Sequence, residues 1–186
     1  MLATLAETII SDSELVVALA AGSEDALREI YERHGPLITA LARRMLGNRE
    51  EAEEVLHDAL LRLWRNAGGF EPERASVKTY LFALARNLCV SRLRARRARP
   101  RLQEFDESSV ALQVAFSVNP DPLPAVLASS ALDALDEPDR QLLEEAFFGG
   151  WSHSELAELH DLPLGTVKSR LRRALAKMKE VLEGAA

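Results

Sequence analysis

The sequence contains few of the features that mark secreted, membrane-spanning or disulfide-rich proteins. Its single cysteine, Cys89, excludes an internal disulfide framework and suits a reducing cytoplasm. This thiol lies in an apolar helical pattern, so we expect it to be buried and inert. No run approaches the roughly 20 apolar residues that span a bilayer. The first residues, MLATLAETIISDSELVV, lack a positive segment and carry early acids, unlike a secretory signal.

Motifs for catalysis and for cofactor binding are also missing. Gly68-Gly69 lacks the following Lys-Ser/Thr of a phosphate-binding P-loop. No nucleophile stands in a pattern with a base. His57, His153 and His160 have no cysteine or second histidine at metal-ligand spacing. The sequence therefore predicts neither an enzyme nor a metal or cofactor site.

Acidic residues are absent from two stretches of a chain whose net charge is −6. From Arg86 to Arg101 there are seven arginines and no acid, and the residues between Asp161 and Glu180 include six basic ones and no acid. A net negative charge argues against a protein that coats nucleic acid on its own. Two basic islands on an acidic chain instead predict two local nucleic-acid contacts, with other faces left for protein partners.

The second basic island predicts the DNA-reading helix of a helix-turn-helix motif. Its apolar residues recur at three- and four-residue steps and form one stripe: Val167, Leu171, Leu175, Met178 and Leu182. Upstream, Ser152 and Glu155 form a capping box for a short helix, and Pro163 ends it because proline disfavours helix at Leu162. A short helix, a tight turn and a basic amphipathic helix are typical of the motif. For such a helix alone, a solvated basic face is the alternative.

The rest of the chain has helical periodicity and no strand pattern. It predicts an all-α protein with two small helical domains, residues 1–98 and 125–186, joined by a flexible proline-containing linker, residues 99–124. Helices are expected over residues 13–21, 23–46 with an interruption at Gly35-Pro36, 49–66, and 77–97. A short linker helix near 110–116, and helices near 126–135 and 138–148, are also expected. The apolar stripe of the helix expected over residues 49–66, which would face the core, includes Trp64.

Three stretches in this order resemble the extracytoplasmic-function (ECF) group of bacterial sigma factors: AEEVLHDALLRLWR, FEPERASVKTYLFALARNLCVSRLRARRAR and ALDALDEPDRQLLEEAFFGGWSHSELAELHDLPLGTVKSRLRRALAKMKE. The resemblance covers about residues 25–180. It implies a cytoplasmic, dissociable subunit of bacterial RNA polymerase that performs no catalysis itself. The first domain would bind the clamp helices of the core polymerase, recognise the −10 promoter element and help to melt it. The second would read the −35 element and rest on the polymerase flap. An anti-sigma factor is an implied further partner.

The resemblance also implies a role for individual residues. Binding to core polymerase falls on the outer face of the helix 52–65, at Asp58, Leu61, Arg62 and Arg65. Recognition and melting of the −10 element fall on Phe70, Tyr80, Arg86, Asn87, Arg92, Arg94 and Arg97. Recognition of the −35 element falls on Thr166, Lys168, Ser169, Arg170, Arg172 and Arg173. Within this last group, Lys168 and Arg173 are expected near base edges, and Arg170 and Arg172 at phosphates.

Two departures from the family pattern affect the −10 contact. Tyr80 stands where the family usually has tryptophan, and Ser91 where many members have aspartate, so details of −10 specificity are not carried over. Phe70 either lines a pocket for a flipped base or packs on its own domain, and Tyr80 either stacks on a base or belongs to the core. Two other classes of function remain open: a stand-alone helix-turn-helix regulator, although no dimerisation helix is evident, and a protein-interaction adaptor without DNA binding.

Overall fold

The computed structural model describes residues 10–98 and 131–184, and these residues form helices and turns with no strand among them. The helices are α1 Asp12–Ala20, α2 Glu24–Leu46, α3 Arg49–Asn66, α4 Val77–Arg97, α5 Glu137–Phe147, α6 His153–Leu159 and α7 Leu164–Gly184. A 3₁₀ turn, Ala67–Gly69, follows α3. The all-α prediction is confirmed. The predicted linker 99–124 with its helix 110–116, and most of the helix 126–135, lie outside the described residues.

The chain divides into two compact units, residues 1–89 and 90–186, and the division falls inside α4. The sequence-based domain bounds, 1–98 and 125–186, stay a prediction. Among the described helices, none is both long and apolar enough to cross a membrane.

Helix starts in the first unit follow from side chains that cap free backbone N–H groups. Ser11 and Glu14 form a capping box at α1, where the Ser11 backbone N–H donates to Glu14 Oε2 at 2.7 Å. Ser23 Oγ accepts from the Ala26 N–H at the start of α2. Asn48 caps α3 in the same way. Because caps act within four residues, they can be identified directly from the sequence.

The first unit is built around α2, which packs against both α1 and α3. Its largest fully buried side chains include Leu19, Ile30, Ile38, Leu63 and Leu81. Cys89 is fully buried, as expected. Polar contacts add to the apolar ones, because Asp12 at the start of α1 accepts from His34 Nε2 at 2.8 Å and from Arg33 Nη1 at 3.2 Å.

The predicted break at Gly35-Pro36 is wrong, because α2 continues through both residues. A proline inside a helix removes one backbone hydrogen bond and costs about 3 kcal/mol. Burial on either side of it, at Ile30, His34, Ile38 and Leu41, outweighs this local cost. The outcome depends on the neighbouring helices, which the proline rule does not consider.

The second unit has a core formed by the described residues of α5, α6 and α7 together with the segment that precedes α5. The core contains Ala131, Leu135, Leu142, Leu143, Ala146, Leu156, Val167, Leu171, Ala174 and Met178. Leu175 and Leu182 from the predicted stripe are half-buried against it. The predicted amphipathic face of the last helix is therefore confirmed, and Ala174 is buried on the same face.

Candidate nucleic-acid interface

The turn between α6 and α7 sets the start of the second helix. Ser152 and Glu155 form the predicted capping box at α6, with the Ser152 N–H donating to Glu155 Oε2 at 2.7 Å. Asp161 then adopts a left-handed backbone conformation with φ of +49°. The Thr166 N–H donates to the Pro163 carbonyl at 2.8 Å, which closes the first turn of α7. The predicted helix-turn-helix geometry is thus present in the second unit.

One side of α7 is basic and exposed while the other is buried. Lys168, Ser169, Arg172 and Arg173 are exposed, and Thr166 is half-buried. The Ser169 hydroxyl donates to the Thr166 carbonyl at 3.0 Å, so this side chain is held close to the helix. The arrangement presents three cations on a rigid helix, which is suited to phosphate groups and to acceptor atoms of base edges.

Arg170 lies in a different environment from the other basic residues predicted for the −35 contact. Its Nε donates to Asp139 Oδ1 on α5, and the side chains of Arg170 and Asp139 are 20% and 11% exposed. This pairing was not predicted, because Asp139 lies in the first turn of α5, where an acid also suits the helix dipole.

A second charged pair joins α5 to the end of α6. His160 Nε2 contacts Glu145 Oε2, and the two side chains are 21% and 24% exposed. His160 is the residue that follows the last turn of α6. Asp139 and Glu145 are therefore two residues that sequence reasoning missed. Among the described residues, no group of histidine, cysteine and carboxylate side chains is arranged to hold a metal ion.

The basic half of α4 is divided between exposed and buried side chains. Asn87 and Ser91 are exposed and Arg94 is half-buried, and their spacing places them on one face of the helix. Arg92 is half-buried. Arg86 is 3% exposed, so the structure places this predicted DNA contact inside the protein.

Arg97 is also engaged within the second unit. Its guanidinium lies 3.7 Å from the centre of the Trp151 ring and donates to the Gly149 carbonyl. Burial lowers the pKa of Arg97, and Glu155 partly opposes that shift. The −10 roles of Arg86 and Arg97 stay predictions, and neither side chain is as exposed as those of Arg172 and Arg173 in α7.

Phe70 and Tyr80, which the sequence predicted for the −10 contact, lie side by side. Their ring centres are 5.7 Å apart and their planes are nearly perpendicular, at 81°. Both rings are half-buried. Edge-to-face packing of this kind stabilises aromatic pairs by about 0.5–1.5 kcal/mol. The loop after α3 is thereby fixed to the first turn of α4.

The outer face of α3 combines charged and apolar side chains. Leu61 is 44% exposed, Arg62 and Arg65 are exposed, and Asp58 is half-buried. Trp64, which the sequence placed on the buried stripe, is 37% exposed, so that prediction is wrong. Leu63 is fully buried at this level of α3. Trp64 follows Leu61 by three residues, so the two exposed apolar residues are neighbours on the helix surface.

Comparison with known families and proteins gives a consistent result. Residues 30–99 match the family model for Sigma-70 region 2, and residues 126–178 match that for Sigma-70 region 4. The chain is 32% identical over 157 residues to the ECF RNA polymerase sigma factor RpoE of Cereibacter sphaeroides, covering 84% of this chain and 86% of that protein. It is 32% identical over 172 residues to the ECF RNA polymerase sigma factor SigM of Mycobacterium tuberculosis, covering 92% and 85%.

A solved structure is similar over most of the chain. It is that of Rhodobacter sphaeroides SigE in complex with the anti-sigma ChrR, with 31% sequence identity and a TM-score of 0.44, covering 91% of this chain and 99% of that one.

Proposed function

The chain belongs to the extracytoplasmic-function group of bacterial RNA polymerase sigma factors, and we propose that it directs promoter-specific initiation through separate −10 and −35 contacts. The observation that carries the −35 assignment is the exposed basic face of α7, opposite its buried stripe and joined to a capped α6. We expect the sigma factor to act in the cytoplasm and to leave catalysis to the polymerase.

Lys168 and Arg173 are the proposed base-reading residues of α7, and Arg172 the phosphate contact. A bidentate pair between a basic side chain and guanine contributes about 1–3 kcal/mol of discrimination. Two such contacts are too few for tight binding, and a net charge of −6 opposes it further. We therefore propose that core polymerase holds both DNA contacts together and raises the effective concentration of each.

The proposed −10 site is the exposed face of α4 together with the Phe70–Tyr80 pair. Extruding a base costs a few kcal/mol, and stacking on an aromatic ring returns about 1–3 kcal/mol per base. Rings that are already packed against each other lose little freedom on binding DNA. Asn87 is exposed on the same helix and is the proposed hydrogen-bonding residue for a base edge.

The proposed polymerase contact is the outer face of α3. Leu61 and Trp64 supply apolar area, and Asp58, Arg62 and Arg65 supply the charged surroundings. A partly exposed aromatic beside an exposed leucine is typical of the centre of a protein interface. The same surface is our proposed target for an anti-sigma factor, which co-purification from the native host would test. A protein recovered only free or on polymerase would contradict that part of the proposal.

Run-off transcription tests the proposed function. Core bacterial polymerase with the full-length protein, on a promoter library with randomised −35 and −10 elements, is expected to give discrete transcripts that core alone does not give. The protein alone is expected to bind the selected promoters weakly. Failure to form a holoenzyme, or tight palindrome-specific DNA binding without polymerase, would contradict the proposal, and the second result would favour a stand-alone regulator.

A further inference from the structure

Arg170 is set apart from its basic neighbours by where its side chain points. Lys168, Arg172 and Arg173 are exposed, whereas the Arg170 side chain is 20% exposed and pairs with Asp139, which is 11% exposed. A long cationic side chain that serves a phosphate is normally extended toward solvent. Arg170 is directed instead at the helix that supports α7.

The position of Arg170 on the helix explains what this pair can do. At about 100° per residue, Arg170 lies about 60° from Val167, at the edge of the buried stripe. Ser169, Arg172 and Arg173 lie on the side of the helix that faces away from Val167. Arg170 therefore marks the boundary between the packed face and the exposed basic face, at the place where α7 passes α5.

Apolar packing alone sets the rotation of a helix only loosely, because hydrophobic contacts have no direction. Side-chain tips lie about 5–6 Å from the helix axis, so a rotation of about 20° moves them by about 2 Å. Hydrogen bonds to base edges form over a much narrower range, about 2.7–3.2 Å between heavy atoms. A directional ion pair at the edge of the stripe limits this rotation.

α5 holds the other helix of the motif as well. Glu145 contacts His160 at the end of α6, while Asp139 contacts Arg170 in α7. The four side chains of these pairs are each at least three-quarters buried, and hydrogen bonds are stronger in such surroundings than in water. One helix thereby fixes both members of the helix-turn-helix, one near each end of α5.

We propose that Asp139 and Arg170 are positioning residues that set the rotation of α7 and thereby determine discrimination at the −35 element. The inference rests on the proposed function, because it concerns how the same α7 face reads DNA. It replaces the sequence-based expectation that Arg170 mainly binds a phosphate.

The two roles predict opposite effects for Asp139→Asn. If Arg170 bound phosphate, removing a nearby negative charge would release the guanidinium and strengthen binding to every promoter. If the pair positions α7, the substitution lowers the preference for the best −35 sequence, although the protein becomes less negative. We expect a loss of about tenfold in −35 discrimination, corresponding to one misaligned bidentate contact.

The test uses holoenzyme assembled from core polymerase and the full chain, with transcripts sequenced from promoters randomised at −35 and, separately, at −10. Asp139→Asn, Arg170→Met and the double variant are expected to flatten the −35 preference and to leave the −10 preference unchanged. The two single variants should be strongly non-additive, because either one breaks the same pair. The matched control is Glu137→Gln, which removes one charge from the same turn of α5 without touching Arg170, and which should keep the wild-type preference.

Folding of each variant is followed by circular dichroism. If Asp139→Asn alone unfolds the second unit, the double variant provides the test, because it removes both charges of the pair and leaves neither one buried without a partner. A folded double variant with the wild-type −35 preference would overturn the inference. So would a uniform loss across all promoters with a reduced salt dependence for Arg170→Met, which is the behaviour of a phosphate contact. If wild-type holoenzyme showed no −35 preference, the proposed function would fail first, and the two failures are thereby distinguished.

Discussion

Replacing Gly149 by alanine should destabilise the second unit, because the space beside this glycine is already occupied. A Cβ at position 149 would lie 2.5 Å from the Glu145 carbonyl oxygen and 2.8 Å from Trp151 Cδ1. Favourable contacts between carbon atoms need about 3.5–4.0 Å. The oxygen belongs to the backbone of α5 and already accepts from the Trp151 N–H at 3.3 Å, so it cannot move without loss of that bond.

The expected magnitude follows from the cost of overpacking. Forcing one extra carbon into an occupied site costs about 1–3 kcal/mol. For a unit of this size, that lowers the thermal midpoint by about 5–20 °C. The Glu145 side chain also holds His160, so displacing the end of α5 should weaken α6 as well.

Tryptophan fluorescence can report on the second unit alone. The chain has two tryptophans, Trp64 and Trp151, one in each unit. In a Trp64→Phe background, thermal unfolding is followed at Trp151 with and without Gly149→Ala. The control is Gly165→Ala in α7, where a Cβ would meet nothing within 4 Å and where alanine favours helix by up to about 1 kcal/mol. Equal midpoints for Gly149→Ala and its parent would refute the reasoning.

Further predictions concern the DNA and polymerase contacts and one helix cap. Charge reversal of Lys168 and Arg173 should lower −35-dependent transcription at least about tenfold in run-off assays without reducing binding to core polymerase; unchanged transcript yield would favour an adaptor role. Leu61→Glu should weaken core binding by about tenfold in a competition assay while the thermal midpoint stays constant, since this side chain is 44% exposed; unchanged affinity would remove α3 from the interface. Tyr80→Ala should slow promoter opening, measured with a fluorescent base in the −10 element, and Tyr80→Phe should not; equal rates would place the ring in a purely structural role. Hydrogen bonds from Ser11 lower the pKa of Glu14 below its ordinary value of 4.5, so its contribution to stability is present above that pH and is lost as the pH falls through the lowered pKa; Glu14→Gln should remove this part of the acid dependence of unfolding, and an unaltered pH profile would count against it.

Features that depend on residues close together in the chain were predicted correctly from the sequence. The capping box at Ser152 involves Glu155, a partner three residues away. The apolar stripe of α7 follows from helical geometry alone. The helix-turn-helix was therefore recognisable as a motif before its packing was known.

Predictions that required knowledge of the neighbouring helix were less successful. Pro36 was expected to interrupt a helix that continues through it, and Trp64 was expected on the apolar stripe with Leu63 but is 37% exposed. Arg86 and Arg97 look like surface arginines in the sequence, yet one is buried and the other stacks on Trp151. A run of arginines shows where charge is concentrated and does not show which guanidinium groups face solvent.

Most helices, the cap at Ser152 and the two basic stretches follow from the sequence alone, because periodicity, capping and charge are properties of neighbouring residues. The pairs Asp139–Arg170 and Glu145–His160 are visible only in the folded protein, because they join positions 31 and 15 residues apart. Their encounter depends on how α5, α6 and α7 bury their apolar faces together. Local rules contain no information about that packing, and it is the packing that turns a basic helix into one with a defined reading face.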